Sequence, residues 1–360
     1  MRIAILWIQL TGYLNSCLLE LASRPGVELF IVHTRIDNDS PFDHGDFDWL
    51  DRQLIWRTQR DLGSIDEQLE EFCPDIIIFA GWTVPAYRRV AMLWKSRATR
   101  IMTMDNCWNG TITQRLGCLM SPFYVRRLAD IIWVPGERQV RFAQNLKFRK
   151  DCILRGLYSC NHLAFRSVYE TRLTNNLPIS KNFIFVGRMV EEKGIETLIS
   201  AYRRYRNIVE SPWPLVCYGR GYYSSKLKNE QGIEVEDFIQ PELLPHKMAQ
   251  AACLLLPSVF EPWALVVHEA TSAGLIILAS RAVGSVPHLV QVGQNGFVFD
   301  VGDAEELSRL MVRIGDMSDA NLKYMSAASV STSQQFTPSR WADSVLTSAK
   351  HNQDTEFIIQ

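Results

Sequence analysis

The sequence predicts an α/β protein built on parallel sheets, and two observations lead to that prediction. Short runs of β-branched and other apolar residues alternate with helical patterns along nearly the whole chain. These apolar runs are continuous, which is typical of strands that helices cover on both faces. A length of 360 residues, of which 47% are hydrophobic, is enough for two separate cores.

The elements follow in chain order. The predicted strands span residues 3–8, 27–33, 75–80, 100–104, 130–134, 182–187, 215–219, 253–258 and 275–280. Among the predicted helices are residues 84–93, 195–208, 264–273 and 304–314. Because an amphipathic segment follows residues 3–8, we interpret this run as a first strand and not as a signal peptide. Residues 35–63 are predicted to form a long loop after a strand, a place where specificity elements occur.

The polar stretch TRLTNNLPIS at residues 171–180 interrupts the alternation and predicts a linker. It divides the chain into two Rossmann-like halves, residues 1–172 and 180–335. Residues 338–350 predict another helix, so residues 336–360 form a C-terminal helix and tail. This segment can pack on either half, including back on the N-terminal one.

Charge and cysteine content exclude several classes of protein. Lys and Arg total 38 and Asp and Glu 39, for a net charge of -1, so no nucleic-acid partner is expected. No apolar run approaches the roughly 18 residues that a membrane span requires. The eight cysteines lack metal-like spacing and are typical of reduced thiols in a cytoplasmic protein.

The segment SVFEPWALVVHEATSAG at residues 258–274 carries the strongest signal for a site. Glu261 is predicted in a loop after a strand and Glu269 inside the next helix, with seven residues between them. The first backbone amides of that helix would form an anion site; they belong to Trp263, Ala264 and Leu265. Sugar hydroxyls suit the two carboxylates because they donate hydrogen bonds. Two solvated surface glutamates are the alternative.

A second segment, FVGRMVEEKGIETL at residues 185–198, places Gly187 and Arg188 at a strand end and Lys193 at a helix start. The two cations can converge on a polyanion such as a diphosphate. Two ordinary surface cations are an equally open interpretation. Gly219 ends another strand in CYGRGYY, but there is no GxGxxG fingerprint, so no dinucleotide cofactor is predicted.

In this order, the motifs resemble the C-terminal half of the family 4 glycosyltransferases, which are retaining enzymes of the GT-B fold. The resemblance runs from Phe183 to about Leu310 and includes AGLIILAS, GSVPHLV and NGFVFD. It implies two Rossmann-like domains that face each other across a cleft. Pro262 and Ala264 stand where the family often has glycine.

The resemblance also implies roles for individual residues. Arg188 and Lys193 would bind the donor diphosphate, and Glu269 the nucleotide ribose. Glu261, with the amides after it, would bind the donor sugar. The base would meet the backbone around Ile239 and Gln240.

The N-terminal half resembles the family less closely. Gly12, after the first strand, would face the diphosphate. Where many relatives have a histidine near the donor sugar, this chain has Asp105 and Asn106. A carboxylate there can accept a hydroxyl proton or stabilise an oxocarbenium ion. Asp105 is therefore a candidate catalytic residue beside Glu261, Arg188 and Lys193, and a loop cap is the alternative.

The triplet Asp46-Phe47-Asp48 has the DxD pattern of a metal site. We interpret it as coincidence, because Arg188 and Lys193 already supply countercharge for a diphosphate. Neither a metal nor a cofactor is predicted.

The segment QRLGCLMSPFYVRRLADII at residues 114–132 mixes apolar residues with arginines. We interpret it as an amphipathic helix whose apolar face is in the core. The alternative is an interfacial helix that holds the enzyme peripherally at the inner face of the membrane.

Together, the motifs and the family that they resemble imply a retaining glycosyltransferase for glycan biosynthesis. It would move a hexose from a nucleotide diphosphate sugar, UDP- or GDP-linked, to a hydroxyl acceptor on a glycan, a lipid-linked sugar or a small molecule. A nucleotide-sugar epimerase on the same scaffold and a non-catalytic carbohydrate-binding protein are the alternatives.

Overall fold

The computed structural model describes residues 1–34, 47–56, 58 and 61–356, with side chains up to residue 349. It divides into two compact units, Met1–Ser159 with Pro338–Gln360, and Cys160–Thr337. The predicted linker at 171–180 is therefore not the boundary. The helix His162–Thr174, which ends within this stretch, packs against the helix Leu265–Ser272 of the second unit.

The first unit is a seven-stranded parallel sheet in the order β3-β2-β1-β4-β5-β6-β7. Its strands are β1 Arg2–Leu6, β2 Glu28–Thr34, β3 Gln53–Trp56, β4 Ile76–Ala80, β5 Thr99–Thr103, β6 Ile131–Val134 and β7 Ile153–Arg155. Its first helices are α1 Gly12–Ala22, α2 Ile65–Phe72, α3 Pro85–Leu93, α4 Ile112–Met120, α5 Val125–Leu128 and α6 Glu137–Asn145. The central strands β1 and β4 are buried on both faces, which explains their continuous apolar sequence.

The second unit is a six-stranded parallel sheet in the order β10-β9-β8-β11-β12-β13. Its strands are β8 Phe183–Val186, β9 Leu215–Tyr218, β10 Ile233–Glu236, β11 Cys253–Leu256, β12 Ile276–Ser280 and β13 Gly296–Phe299. Its helices are α7 His162–Thr174, α8 Ile195–Ile208, α9 Ser224–Lys228, α10 Leu244–Met248, α11 Leu265–Ser272, α12 Val286–Leu289, α13 Ala304–Gly315 and α14 Asp319–Ser333.

The C-terminal helix α15, Pro338–Glu356, packs back on the first unit. The Trp341 ring lies 4.9 Å from the ring of Trp133 on β6, and its indole N–H donates a hydrogen bond to the Leu157 carbonyl at 2.9 Å. A buried aromatic pair with a satisfied polar group explains why a helix far along the chain returns to the first sheet.

Short strands at or near the sheet edges are absent from the prediction. β3 lies within the predicted loop 35–63 and pairs with β2, whereas residues 35–46 of that loop lie outside the described residues. β10 alternates apolar and polar residues, and β3 is only four residues long and mostly exposed, as is usual for strands at a sheet edge. Such strands lack the continuous apolar run on which the prediction relied.

The interpretation of residues 114–132 is wrong for α4. Of its side chains only Cys118 is buried, and its large apolar residues are exposed. In α5, by contrast, Val125 and Leu128 are in the core. Among the described helices, none is long and apolar enough to cross a membrane.

Candidate active site

The order in which strands join the second sheet reverses between β8 and β11. From β8 the sheet extends to one side through β9 and β10, and from β11 to the other side through β12 and β13. At such a topological switch point the loops after the two central strands diverge, and open α/β sheets bind ligands in the space between them. Arg188 and Lys193 follow β8, and Glu261 follows β11. The fold thus places these predicted residues at the carboxyl edge of adjacent strands.

Lys193 and Glu261 form an ion pair across this switch point, from the Lys193 Nζ to the Glu261 Oε2. Their side chains are only 15% and 13% exposed, respectively. The backbone joins the same two loops, because the amide of Val259 donates to the Glu192 carbonyl at 2.8 Å. The sequence suggested separate contacts for these two residues, and the structure brings them into direct contact.

Glycines permit the close approach of these loops. Gly194 has a φ of +69°, and a Cβ there would lie 1.9 Å from the Pro257 carbonyl oxygen. Gly219, after β9, has a φ of +137°, and its Cβ would lie 2.1 Å from the Gly187 carbonyl oxygen. Only glycine fits such contacts in a left-handed backbone. The two glycines therefore allow the loops at the strand ends to pack closely.

Substituting Gly194 with alanine is expected to lower the free energy of unfolding by about 2–3 kcal/mol, from left-handed strain and displacement of the Pro257 loop. Urea unfolding measures this change. The matched control is Gly117→Ala in α4, where a Cβ meets no atom within 4 Å. An exposed helical glycine is poorer than alanine, so this control is expected to gain up to about 1 kcal/mol. Equal effects of the two substitutions would contradict the assigned role of Gly194.

Helix α11 begins with open backbone amides. Ala264 precedes the helix with a φ of +76°, and no side chain caps the terminus. Within the described chain, no residue accepts a hydrogen bond from the amides of Trp263, Ala264 or Leu265. An alanine in the left-handed region shows that the loop keeps the conformation for which glycine is usual. The open amides and the helix dipole together favour an anion.

Glu269 lies inside α11 and is partly buried, and burial raises the pKa of its carboxyl group to about 7. None of the described residues forms a hydrogen bond or ion pair with this carboxylate. A partly buried carboxylate without a partner costs free energy. Such a group is suited to hydrogen-bond donors from a ligand.

The neighbouring His268 is a core residue. It is fully buried; its Nδ1 accepts a hydrogen bond from the Cys160 amide at 3.2 Å, and its Nε2 donates to the Ser333 carbonyl at 3.1 Å. Burial lowers the pKa of His268 to about 3, so the ring is neutral near pH 7. Both ring nitrogens are occupied, and His268 is not available as a ligand.

The other predicted donor residues lie on the same edge of this sheet. Arg188 is exposed, and no described carboxylate pairs with it. Ile239 and Gln240 follow β10, and Ile239 packs partly against the core of the unit. After β9 and β10, Arg220 forms an exposed ion pair with Asp237, and a hydrogen bond from Arg220 lowers the pKa of Asp237 to about 2.

The first unit has its own switch point, between β1 and β4, and a pocket of about 410 Å³ opens there. The Tyr158 hydroxyl donates to the Asp105 carboxylate at 3.1 Å, and the Tyr13 ring meets the Tyr158 ring edge-on at 5.4 Å. Gly12 is the first residue of α1, between the lining residues Thr11 and Tyr13. Asp105 and Gly12 were predicted from sequence. The aromatic lining was not, and it includes Trp7, Tyr13, Trp82 and Tyr158. Only the strand order brings these distant residues together.

The DxD triplet forms no cluster of metal ligands within the residues that the structure describes. Asp46 lies outside the described residues, and Asp48 is exposed. Within the described ranges, no group of three or more His, Cys, Asp or Glu residues is arranged to hold a metal ion.

The sequence of this chain is similar to those of known glycosyltransferases. Residues 175–328, most of the second unit, match the family model described as glycosyl transferases group 1. The chain is 29% identical to a sulfoquinovosyl transferase of Arabidopsis thaliana over 205 residues, which are 51% of this chain and 37% of that protein. It is also 29% identical to O-antigen chain mannosyltransferase B of Escherichia coli over 133 residues, 35% of this chain and 34% of that one. The alignments thus span about a third of the length of these relatives.

Solved structures extend the likeness to the whole chain. A glycosyltransferase from Rickettsia africae superposes with a TM-score of 0.73 at 14% identity, over 97% of this chain and 98% of that chain. The Anabaena protein HepE in complex with UDP superposes with a TM-score of 0.69 at 16% identity, over 100% of both chains. The predicted fold class is confirmed: the chain has the α/β architecture of the GT-B glycosyltransferases, with two Rossmann-like units.

Proposed function

We propose that the protein is a retaining glycosyltransferase of the family 4 type, which transfers a hexose from a nucleotide diphosphate sugar to a hydroxyl acceptor. The observation that carries this proposal is the Lys193–Glu261 ion pair at the switch point of the second unit. It lies in the same loop system as the open amides of α11. The named activities of the similar transferases support the reaction class, and the UDP in the Anabaena structure supports a UDP-linked donor.

Each group has a role in donor binding that suits its chemistry. Lys193 and Arg188 neutralise the diphosphate, and the amides of α11 donate hydrogen bonds to it or to the sugar. Glu261 accepts hydrogen bonds from sugar hydroxyls and also positions Lys193 through the ion pair. Glu269 accepts from the ribose hydroxyls, and the backbone near Ile239 and Gln240 meets the base.

In the proposed reaction, the bond between the anomeric carbon and the diphosphate oxygen breaks as the acceptor oxygen attacks from the same face. The acceptor proton passes to a diphosphate oxygen, which leaves as the nucleoside diphosphate. The two cations supply the countercharge, and the proposal requires neither a metal nor a cofactor. Asp105, which accepts a hydrogen bond from Tyr158 in the pocket of the first unit, is the proposed group that stabilises the developing oxocarbenium charge.

A thermal-shift panel of UDP-, GDP- and ADP-linked sugars tests donor binding. A donor at 100 times its dissociation constant is expected to add about 2.7 kcal/mol to the free energy of unfolding. The stabilising donor is then incubated with and without hydroxyl acceptors, and products are separated by mass and anomeric configuration. Release of nucleoside diphosphate with a retained glycoside supports the proposal. An isomerised donor in the absence of acceptor indicates an epimerase instead, and binding without turnover indicates a carbohydrate-binding protein.

A further inference from the structure

Helix α4 and the turn that follows it present an apolar surface to solvent. We call it the α4 surface and define it as Ile112, Leu116, Leu119, Met120 and Phe123. Its side chains are 77%, 59%, 70%, 57% and 72% exposed, respectively. The four helical residues are spaced i, i+4, i+7 and i+8, so they share one face of α4. Contiguous exposed apolar side chains of this kind mark an interaction site.

The helix that carries this surface is firmly held on its other side. Thr111 caps its N-terminus by accepting a hydrogen bond from the Gln114 amide, and the Gln114 side chain accepts from the Gly110 amide at 3.0 Å. Cys118 is buried, and the Ser121 hydroxyl donates to the Leu146 carbonyl at 2.7 Å. The exposed face is therefore presented by an anchored element.

The chain segment that carries the α4 surface contains charged residues of one sign only. Residues 106–129 contain three arginines and no aspartate or glutamate. Arg115, one turn before Leu119, and Arg127 are exposed, and neither pairs with a carboxylate in the described part of the chain. Lys147 is likewise exposed and follows Leu146, which contacts the turn after α4. The apolar side chains are thus accompanied by three unneutralised cations.

We propose that the α4 surface docks the first unit on an anionic lipid bilayer. The apolar side chains enter the boundary between headgroups and acyl chains, and Arg115, Arg127 and Lys147 contact lipid phosphates. A second copy of the chain fits this surface poorly, because an isologous contact brings the same cations together from both copies. This inference does not depend on the proposed reaction.

Co-sedimentation of the full chain with vesicles tests the proposal. The vesicles contain phosphatidylcholine with about a third phosphatidylglycerol, which is anionic. The chain is expected to bind them more strongly than vesicles of pure phosphatidylcholine, and this binding is expected to fall as the NaCl concentration is raised. The substitution pair Leu119→Gln with Phe123→Gln is expected to reduce partitioning at least about tenfold. The triple substitution Arg115→Gln, Arg127→Gln and Lys147→Gln is expected to reduce it about a hundredfold on anionic vesicles, at roughly fivefold per cation.

The matched control is Leu163→Gln with Tyr324→Gln, two side chains of the second unit that are 69% and 66% exposed. This pair is expected to leave vesicle binding unchanged, and all variants are checked for an unaltered unfolding midpoint. Failure of the wild-type chain to sediment with anionic vesicles would overturn the proposal. An equal loss of vesicle binding in the control pair would also overturn it. A dimer detected by light scattering, and dissociated by Leu119→Gln with Phe123→Gln, would show that a second copy occupies the surface instead. Donor binding, measured separately on the same variants, reports on the proposed reaction alone.

Discussion

Lys193→Ala is expected to lower turnover of the nucleotide-sugar donor by about 10²–10³-fold, the usual effect of removing one preorganised group that stabilises developing charge. The Lys193 ammonium is held against Glu261 at a site where both side chains are largely buried. In the proposed reaction, its removal deletes a cation that neutralises the departing diphosphate. It also leaves the Glu261 carboxylate unneutralised, so that this carboxylate repels the leaving anion. Initial rates of nucleoside diphosphate release measure the effect.

The control for this substitution is Lys226→Ala in the same unit. Lys226 also pairs with a glutamate, Glu196, but the two side chains are 47% and 54% exposed. An exposed pair of this kind contributes little, so turnover and stability are expected to stay close to wild type. Lys193→Arg, which keeps the charge, is expected to retain more activity than Lys193→Ala. Turnover of Lys193→Ala within a few-fold of wild type would rule out the proposed role.

Glu269→Gln is expected to weaken donor binding about 10–100-fold while stabilising the ligand-free protein. A hydrogen bond to a charged group contributes about 1.5–3 kcal/mol, and the substitution would exchange the proposed bonds to ribose hydroxyls for neutral ones. The ligand-free protein gains stability because a neutral amide replaces a carboxylate that burial disfavours and with which no described residue pairs. A substitution that improves stability and harms binding is typical of a site kept for function.

The raised pKa of Glu269 makes both the stability of the protein and its donor affinity depend on pH. Burial raises the pKa of Glu269 from 4.5 to about 7, so between these values the folded protein keeps a proton that the unfolded chain has lost. The free energy of unfolding therefore falls as pH rises through this window, by about 3 kcal/mol in all. Glu269→Gln is expected to lack this decline. Because hydroxyl donors favour the ionised carboxylate, wild-type donor affinity is expected to rise with pH, up to about tenfold per unit, until it levels above pH 7.

Urea unfolding and calorimetric titration between pH 5 and pH 8 measure the two effects. Glu305→Gln is the matched control, because Glu305 is a 66% exposed glutamate on α13 of the same unit. It is expected to leave both pH profiles as they are in wild type. A wild-type donor affinity that does not change across this pH range would contradict the role of Glu269.

The loops that carry Arg188, Lys193 and Glu261 could be located from sequence because each follows a buried strand. In a parallel sheet the ends of neighbouring strands share one edge, so Lys193 and Glu261 are brought together once β8 and β11 are adjacent. The sequence does not contain that adjacency, since 68 residues separate the two side chains. Their direct contact was consequently not predicted.

The aromatic pocket of the first unit could not be predicted for the same reason. Tyr13 and Tyr158 are distant in sequence and meet only because α1 begins beside β1 and the chain after β7 returns to the same edge. The unit boundary differed from the prediction because α7 buries side chains against α11. A polar linker sequence indicates where the chain is exposed, but packing decides to which unit a helix belongs.

Composition and the continuous apolar runs by themselves determined the α/β class, the doubled architecture and the strand-end motifs, because backbone geometry and burial impose those patterns locally. The tertiary structure alone decided that a lysine and a glutamate from two loops form one ion pair, and that no described residue pairs with the Glu269 carboxylate. It also decided that the apolar face of α4 is exposed. Helical periodicity shows which side chains share a face, whereas only the packing of distant segments determines whether that face meets protein or solvent.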